Sequence, residues 1–403
     1  MPPSIRIPVY QPDLSGNERA YVDRCLQSTW ISSKGEFIDR FQQGFAGYIG
    51  APHALAVANG TVALHLALAA LELGPGDEVI VPSLTYVAAV NAIRYVGATP
   101  VFADADPATW QVSVAHVATL INDRTKAILA VHLYGQACDM AALVDLARRH
   151  RLRLIEDCAE AFGTKMGAKH VGTFGDIATF SFFGNKTITT GEGGMVVAAD
   201  PTLHRKALKL RGQGLADDRE YWHDVVGFNF RMTNICAAIG LAQLERADGF
   251  IARKRVVAEA YRTGLRGLPV QMHAEVAGTT HSFWMCSLLT DAAAERDPLR
   301  QALRAEGIET RPLFHPVHTM PMYAAGQTGL EVAVDLAARG MNLPSWPGLT
   351  SADLGEICRV IQRHFAARGS AKGDRRPQLD GSNRRFAGLH GLSGREQHEK
   401  HCR

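Results

Sequence analysis

Apolar residues recur along the chain in two alternating rhythms, short runs of strand length and longer stretches at helical spacing. His53–Asn59 (HALAVAN), Glu78–Pro82, Thr99–Asp104, Ala127–His132 and Leu152–Glu156 are the compact runs. Gly60–Leu73 (GTVALHLALAALEL), Tyr86–Tyr95 and Met140–His150 carry the helical spacing. Strands separated by helices of this length predict βαβ units and a mainly parallel sheet. Ser15 followed by Glu18 predicts a capping box opening a helix over Asn17–Leu26. The rhythm then changes. Ala178–Phe182 and Gly194–Ala198 read as strands with no long helix between them, followed by a helix-like Leu203–Leu210. A single long helix is expected from Thr233 to about Arg262. Beyond it the pattern predicts a smaller α+β unit, with a strand around Phe283–Leu289 and helices at Pro298–Glu306 and Ser351–Phe365.

Length and charge narrow the class. At 403 residues the chain is long enough for two or three domains with a sizeable core. A formal net charge of +3 argues against nucleic-acid binding by bulk charge. No apolar run approaches a membrane span, and the amino end lacks the apolar core of a signal peptide. Seven cysteines without a C-x-x-C pair argue against a disulfide framework or zinc cluster, so a reducing cytoplasm is expected. The stretch Gly369–Arg403 holds eight basic and four acidic residues, so the remainder of the chain is close to neutral. This tail is rich in Gly, Arg and His without an apolar period. It reads as a solvated, disordered extension, with an anion-binding arm as the alternative.

Three features carry chemistry. At Asn59–Gly60–Thr61 a strand gives way to a helix whose first N–H groups and dipole suit a phosphate, although capping alone also explains Gly-Thr there. Asp157 ends an apolar strand, where open α/β sheets place ligand-binding groups; an acid at that depth needs a cation or donors. Lys186 lies between two apolar strands among small and hydroxylated residues, where a partly buried amine can act as a nucleophile towards an aldehyde. An ATP loop is excluded, because Asn185 stands where G-x-x-x-x-G-K-[ST] requires glycine. Pyridoxal phosphate needs all three features: a phosphate cup, an acid facing its ring nitrogen, and a lysine that bonds its aldehyde and shuttles a proton.

Motifs along the body of the chain are STWISSKG (28–35), NGTVALHLAL (59–68), HLYG (132–135), IEDCAEAFG (155–163), TFSFFGNKTITTGEGGM (179–195), YWHDVVGFNFRMTNICAAIGLAQLE (221–245) and PVHTMPMY (316–323). With these the chain resembles the sugar-nucleotide aminotransferases of the DegT/DnrJ/EryC1/StrS family, from Ile7 to about Phe365. The resemblance implies an α/β fold of the aspartate-aminotransferase type (fold type I), with a mainly parallel sheet in a large domain plus a smaller α+β domain. The large domain is expected over 1–250, its segment 1–30 packing on the small domain at 251–368, with the tail at 369–403. Pyridoxal 5'-phosphate is the implied cofactor, and no metal is implied.

The resemblance also implies roles. Gly60, Thr61 and Ser181 hold the phosphate, and Asn229 reaches it from the neighbouring subunit of a homodimer with shared active sites. Tyr86 stacks on the pyridine ring, with core packing as the alternative. Glu160 stands where many members have glutamine, facing the ring hydroxyl. Arg231 reads equally as a structural ion-pair residue. Trp30, Lys34, His315 and His318 are substrate-side candidates. His315 and His318, spaced H-x-x-H, lack the further ligands of a zinc site, and a buried core position is the alternative for His318. L-glutamate is the implied donor and a nucleotide-linked ketosugar the acceptor, with GDP-4-keto-6-deoxymannose favoured over UDP- or dTDP-linked sugars. Lys186 speaks against the dehydratase branch, which has His at that place. A cofactor-bound regulatory protein without turnover is the rival from another class. No nucleic-acid or membrane partner is expected.

Overall fold

A computed structural model of the protein describes residues 4–324 and 326–373. The strands in chain order begin with β1 (Ala54–Val57), β2 (Glu78–Pro82), β3 (Thr99–Ala103), β4 (Thr125–Val131) and β5 (Arg153–Asp157). A short hairpin, β6 (Lys165–Met166) and β7 (Lys169–His170), precedes β8 (Ile177–Ser181) and β9 (Gly194–Ala198). The main sheet has the order β1-β9-β8-β5-β4-β2-β3. Its pairings are parallel except those of β9, which lies antiparallel between β1 and β8. The missing helix between the last two strands explains this: a parallel neighbour needs a long crossover, whereas β9 returns directly.

The sheet is buried on both faces, as its near-continuous apolar strands require. Val79 and Val81 of β2 pack with Leu66, Leu68 and Ile93 on one face. Ile80 between them packs with Leu143 and Leu146 of the helix Met140–His150 on the other. At the β1–β9–β8 end the helix Glu36–Ile49 covers the sheet, driving Phe41 and Phe45 against Phe180 and Phe182. The sequence reading passed over this helix, although Phe37, Phe41, Phe45 and Ile49 carry its period.

Four further strands, β10 (Val270–Met272), β12 (Cys286–Thr290), β13 (Arg311–Pro312) and β14 (Gly340–Leu343), form an antiparallel sheet in the order β10-β12-β14-β13. The remaining strand, β11 (Thr279–Thr280), pairs with β6. Residues up to Phe365 form one compact unit. Within it the amino-terminal segment bonds to the elements around the second sheet: Ile7 bridges Ile308, the Ser345 N–H donates to the Val9 carbonyl, and the Trp346 indole donates to Pro8.

Three local expectations are corrected. The helix Glu18–Ser28 has no capping box: Ser15 Oγ donates to Asp13, and Glu18 is buried, accepting from Gln243 Nε2 at 2.5 Å. The long helix expected from Thr233 is two, Asn234–Leu244 and Ala247–Gly264. At the break, Glu245 accepts from Asn17 and Tyr21, and Arg246 makes a paired bond to Asp13 at 3.0 and 2.9 Å. The last helix, Ser351–Gly373, runs past the expected end at Phe365; the tail beyond Gly373 lies outside the described residues. Among the described residues no helix is long and apolar enough to cross a membrane.

Candidate active site

The carboxyl ends of the parallel strands supply most of the candidate residues. β5 ends at Asp157, in register with Val131 and Thr179, so its side chain is 5% exposed. Its carboxylate accepts the Ala159 N–H at 3.0 Å. Glu160, on the turn that follows, is equally buried and accepts the Tyr134 N–H at 2.9 Å. Tyr134 itself adopts the left-handed conformation, with φ 57°. Lys186 meets this pair from the loop between β8 and β9. Its Nζ lies 3.9 Å from Glu160 Oε1 and 3.9 Å from the centroid of the Trp284 ring.

Burial dominates the electrostatics of the cluster. It pushes the Lys186 amine below its ordinary value, although Glu160 and Asp157 oppose the shift. Burial also raises Asp157 and Glu160, with Lys186 pulling both back. The result is a desolvated amine between two carboxyls, suited to attack a carbonyl and to exchange a proton. A cation set against Asp157 would stabilise its ionised form.

The backbone of the lysine loop is anchored independently. Tyr10 Oη donates to the Lys186 carbonyl at 2.6 Å and Trp284 Nε1 to the Asn185 carbonyl at 2.7 Å. Neither anchor was legible: Trp284 lies in an apolar run that reads as core strand, and Tyr10 lies outside every patterned element.

At the cup, Asn59 caps the helix Gly60–Ala70 by accepting the Val62 N–H at 3.0 Å. The N–H groups of Gly60 and Thr61 have no carbonyl to reach inside the helix. Gly60 sits so close to Ser181 that an added Cβ would lie 2.7 Å from Ser181 Cβ, and one on Gly194 would lie 2.6 Å from the Asn59 carbonyl oxygen. Ser181, ending β8, thus faces the start of the helix. Because the Gly60 contact is with a Cβ and not a flexible tip, Gly60→Ala should weaken pyridoxal phosphate binding about tenfold. Cofactor titration followed by absorbance checks this, with an unchanged circular dichroism spectrum.

Other predicted residues scatter. Tyr86 is 59% exposed, its ring 5.6 Å from Phe314, so the core-packing alternative is excluded. His318 Nδ1 lies 2.5 Å from the hydroxyl of Ser83, the residue after β2, which ties its loop to the same edge of the sheet. His315 is exposed. Trp30 and Lys34 lie on an exposed loop held by Asn234, whose side chain donates to the Trp30 carbonyl at 2.7 Å. Asn229 is exposed and accepts from Arg231. Among the described residues no hydrogen bond or ion pair joins Trp30, Lys34 or Asn229 to the Lys186 cluster in a single chain.

A second buried group lies on the opposite face of β5. Glu156 accepts the N–H groups of Gly172, Phe174 and Gly175, each at 2.7 Å, and faces His132 Nε2 at 3.1 Å. His132 Nδ1 accepts the Cys138 N–H, and Cys158 completes a cluster within 4.8 Å. The carboxylate and both ring nitrogens are engaged by protein groups, which makes this a structural brace. Burial alone would raise Glu156; the His132 bond and the backbone donors outweigh it and hold the carboxyl below its usual range. Glu156→Gln should therefore cost about 3 kcal/mol of stability at pH 7. Since the folded group is depressed, its contribution is complete above the ordinary carboxylate range and is lost as pH falls through its folded value. Urea unfolding of both proteins should show the difference shrinking at acid pH.

The sheet order, the antiparallel return of β9, and a buried lysine beside a strand-end aspartate define an α/β enzyme of the fold-type-I, aspartate-aminotransferase kind. The chain belongs to the DegT/DnrJ/EryC1/StrS aminotransferase family, whose pattern matches residues 12–362. Over 360 residues it is 58% identical to the GDP-perosamine synthase of Escherichia coli O157:H7, covering 89% of this chain and 99% of that protein. The crystal structure of the aminotransferase TlmJ from Streptoalloteichus hindustanus superposes with a TM-score of 0.86 at 32% identity, covering 90% of this chain and all of the other. The PLP form of the putative sugar aminotransferase Spr1654 from Streptococcus pneumoniae gives 0.85 at 26% identity, covering 91% and 99%. The cofactor is pyridoxal 5'-phosphate. The residues present fit it: the Gly60–Ser181 contact leaves an open helix start for a phosphate, and the desolvated Lys186 amine suits an aldehyde.

Proposed function

We propose that the protein moves the amino group of L-glutamate to the keto carbon of GDP-4-keto-6-deoxy-D-mannose, giving GDP-perosamine, a precursor for surface polysaccharide. The observation that carries this is the 58% identity to a GDP-perosamine synthase over nearly its whole length. Bound pyridoxal phosphate supplies an electron sink for the carbanion at the substrate carbon. Gly60, Thr61 and Ser181 hold its phosphate, and Asp157 keeps its ring nitrogen protonated. Glu160 faces the ring hydroxyl and favours its protonated state. Lys186 would hold the cofactor through its aldehyde and would carry the proton between carbons, as its lowered basicity suits. Tyr86 covers the ring, and its exposure leaves it free to do so.

The working unit is a homodimer in the cytoplasm. Asn229 serves the neighbouring subunit's cofactor, a role its exposed position permits. Trp30, Lys34, His315 and His318 line the sugar-nucleotide side. The test is amination by the purified enzyme with glutamate and a panel of GDP-, UDP- and dTDP-linked ketosugars, read by mass. Amination of the GDP-linked 4-ketosugar is expected; amination confined to UDP- or dTDP-linked sugars overturns the assignment.

A further inference from the structure

Trp284 joins the lysine cluster from outside every motif that carries the family resemblance. Its indole is 4% exposed and lies parallel to the Tyr134 ring, with centroids 6.3 Å apart. The Lys186 amine rests on the indole face, 3.9 Å from the centroid, while the indole N–H holds the Asn185 carbonyl. Trp284 is itself pinned. Its carbonyl accepts from Lys254 Nζ at 3.1 Å, and the same fully buried amine donates to the Ser345 carbonyl.

A lysine that shuttles a proton is cationic for part of each cycle, in a place where burial disfavours charge. Glu160 at 3.9 Å and Asp157 answer that charge from the main-sheet side, and Lys254 donates to the Trp284 carbonyl. An aromatic face attracts a cation without competing for its proton. We propose that Trp284 is a positioning residue for Lys186: its face seats the amine while it is protonated, and its N–H fixes the backbone beneath. This rests on Lys186 being the lysine that bonds the cofactor.

The experiment uses apoprotein mixed with pyridoxal phosphate across a pH series. The binding rate, followed by absorbance, rises as the amine loses its proton. Trp284→Leu should move the midpoint down by about half to one pH unit, because the cation loses its seat. Trp284→Phe, which keeps an aromatic face, should hold the midpoint close to that of the parent while slowing binding severalfold through the lost N–H. A midpoint unmoved in Trp284→Leu, or moved equally in Trp284→Phe, overturns the proposal. If circular dichroism shows that the leucine variant does not fold, Trp284→Met carries the same midpoint test. Lys186→Ala serves as the separate control: should it still develop the absorbance of covalently bound cofactor, the lysine assignment itself falls.

Discussion

Lys186→Ala is expected to lower amino transfer by about a thousandfold or more while leaving the fold intact. The amine is the one group of the cluster able both to bond an aldehyde and to carry a proton between two carbons, so no neighbour replaces it. Glu160 and Asp157 are carboxyls, and Lys254 is occupied by two main-chain carbonyls. The anchors of the loop survive the substitution, because Tyr10 and Trp284 grip the carbonyls of residues 186 and 185 and not the side chain. Thermal unfolding of the apoprotein should therefore change little. Single-turnover mixing with glutamate should show almost no release of 2-oxoglutarate. A rate within tenfold of the parent would contradict the assignment.

Asp157→Asn is expected to have the next largest effect, on the order of a hundredfold or more in kcat. The amide is nearly isosteric, and its oxygen can still accept the Ala159 N–H, so the turn after β5 should persist. What disappears is the negative charge that would hold a proton on a ring nitrogen opposite it. Asp157 is buried, so little solvent is present to substitute for that charge, and the same burial raises its carboxyl. The measurement is kcat for both half-reactions, together with the absorbance maximum of the bound cofactor. A change confined to KM would argue that Asp157 only helps binding.

The sequence exposed the frame of the main sheet because its strands are apolar on both faces and its helices are regular. β2, β9 and the helix Met140–His150 occupy the predicted residues, and the other strands of that sheet shift by one or two. The break near Glu245 was invisible because its cause is remote: Asp13 and Asn17 hold residues more than 200 positions away. Asp157 and Lys186 stood out because an acid and an amine are anomalous in apolar surroundings. Trp284 and Tyr10 did not, because an aromatic residue needs no special reason to be buried. Their partners are main-chain carbonyls, which have no sequence signature. The brace of Glu156 and His132 hid for a similar reason, since three of the donors to Glu156 are backbone N–H groups in a turn.

The position of β9 ties the cup to a late stretch of the chain. In the main sheet β1 has a single neighbour, and that neighbour is β9. The ladder of Ala54–Val57 therefore closes only on Gly194–Ala198, a strand far later in the chain. The cup at Gly60 thus joins an early stretch of the chain to a late one, because the strand before it is bonded to the sheet through residues on the far side of Lys186.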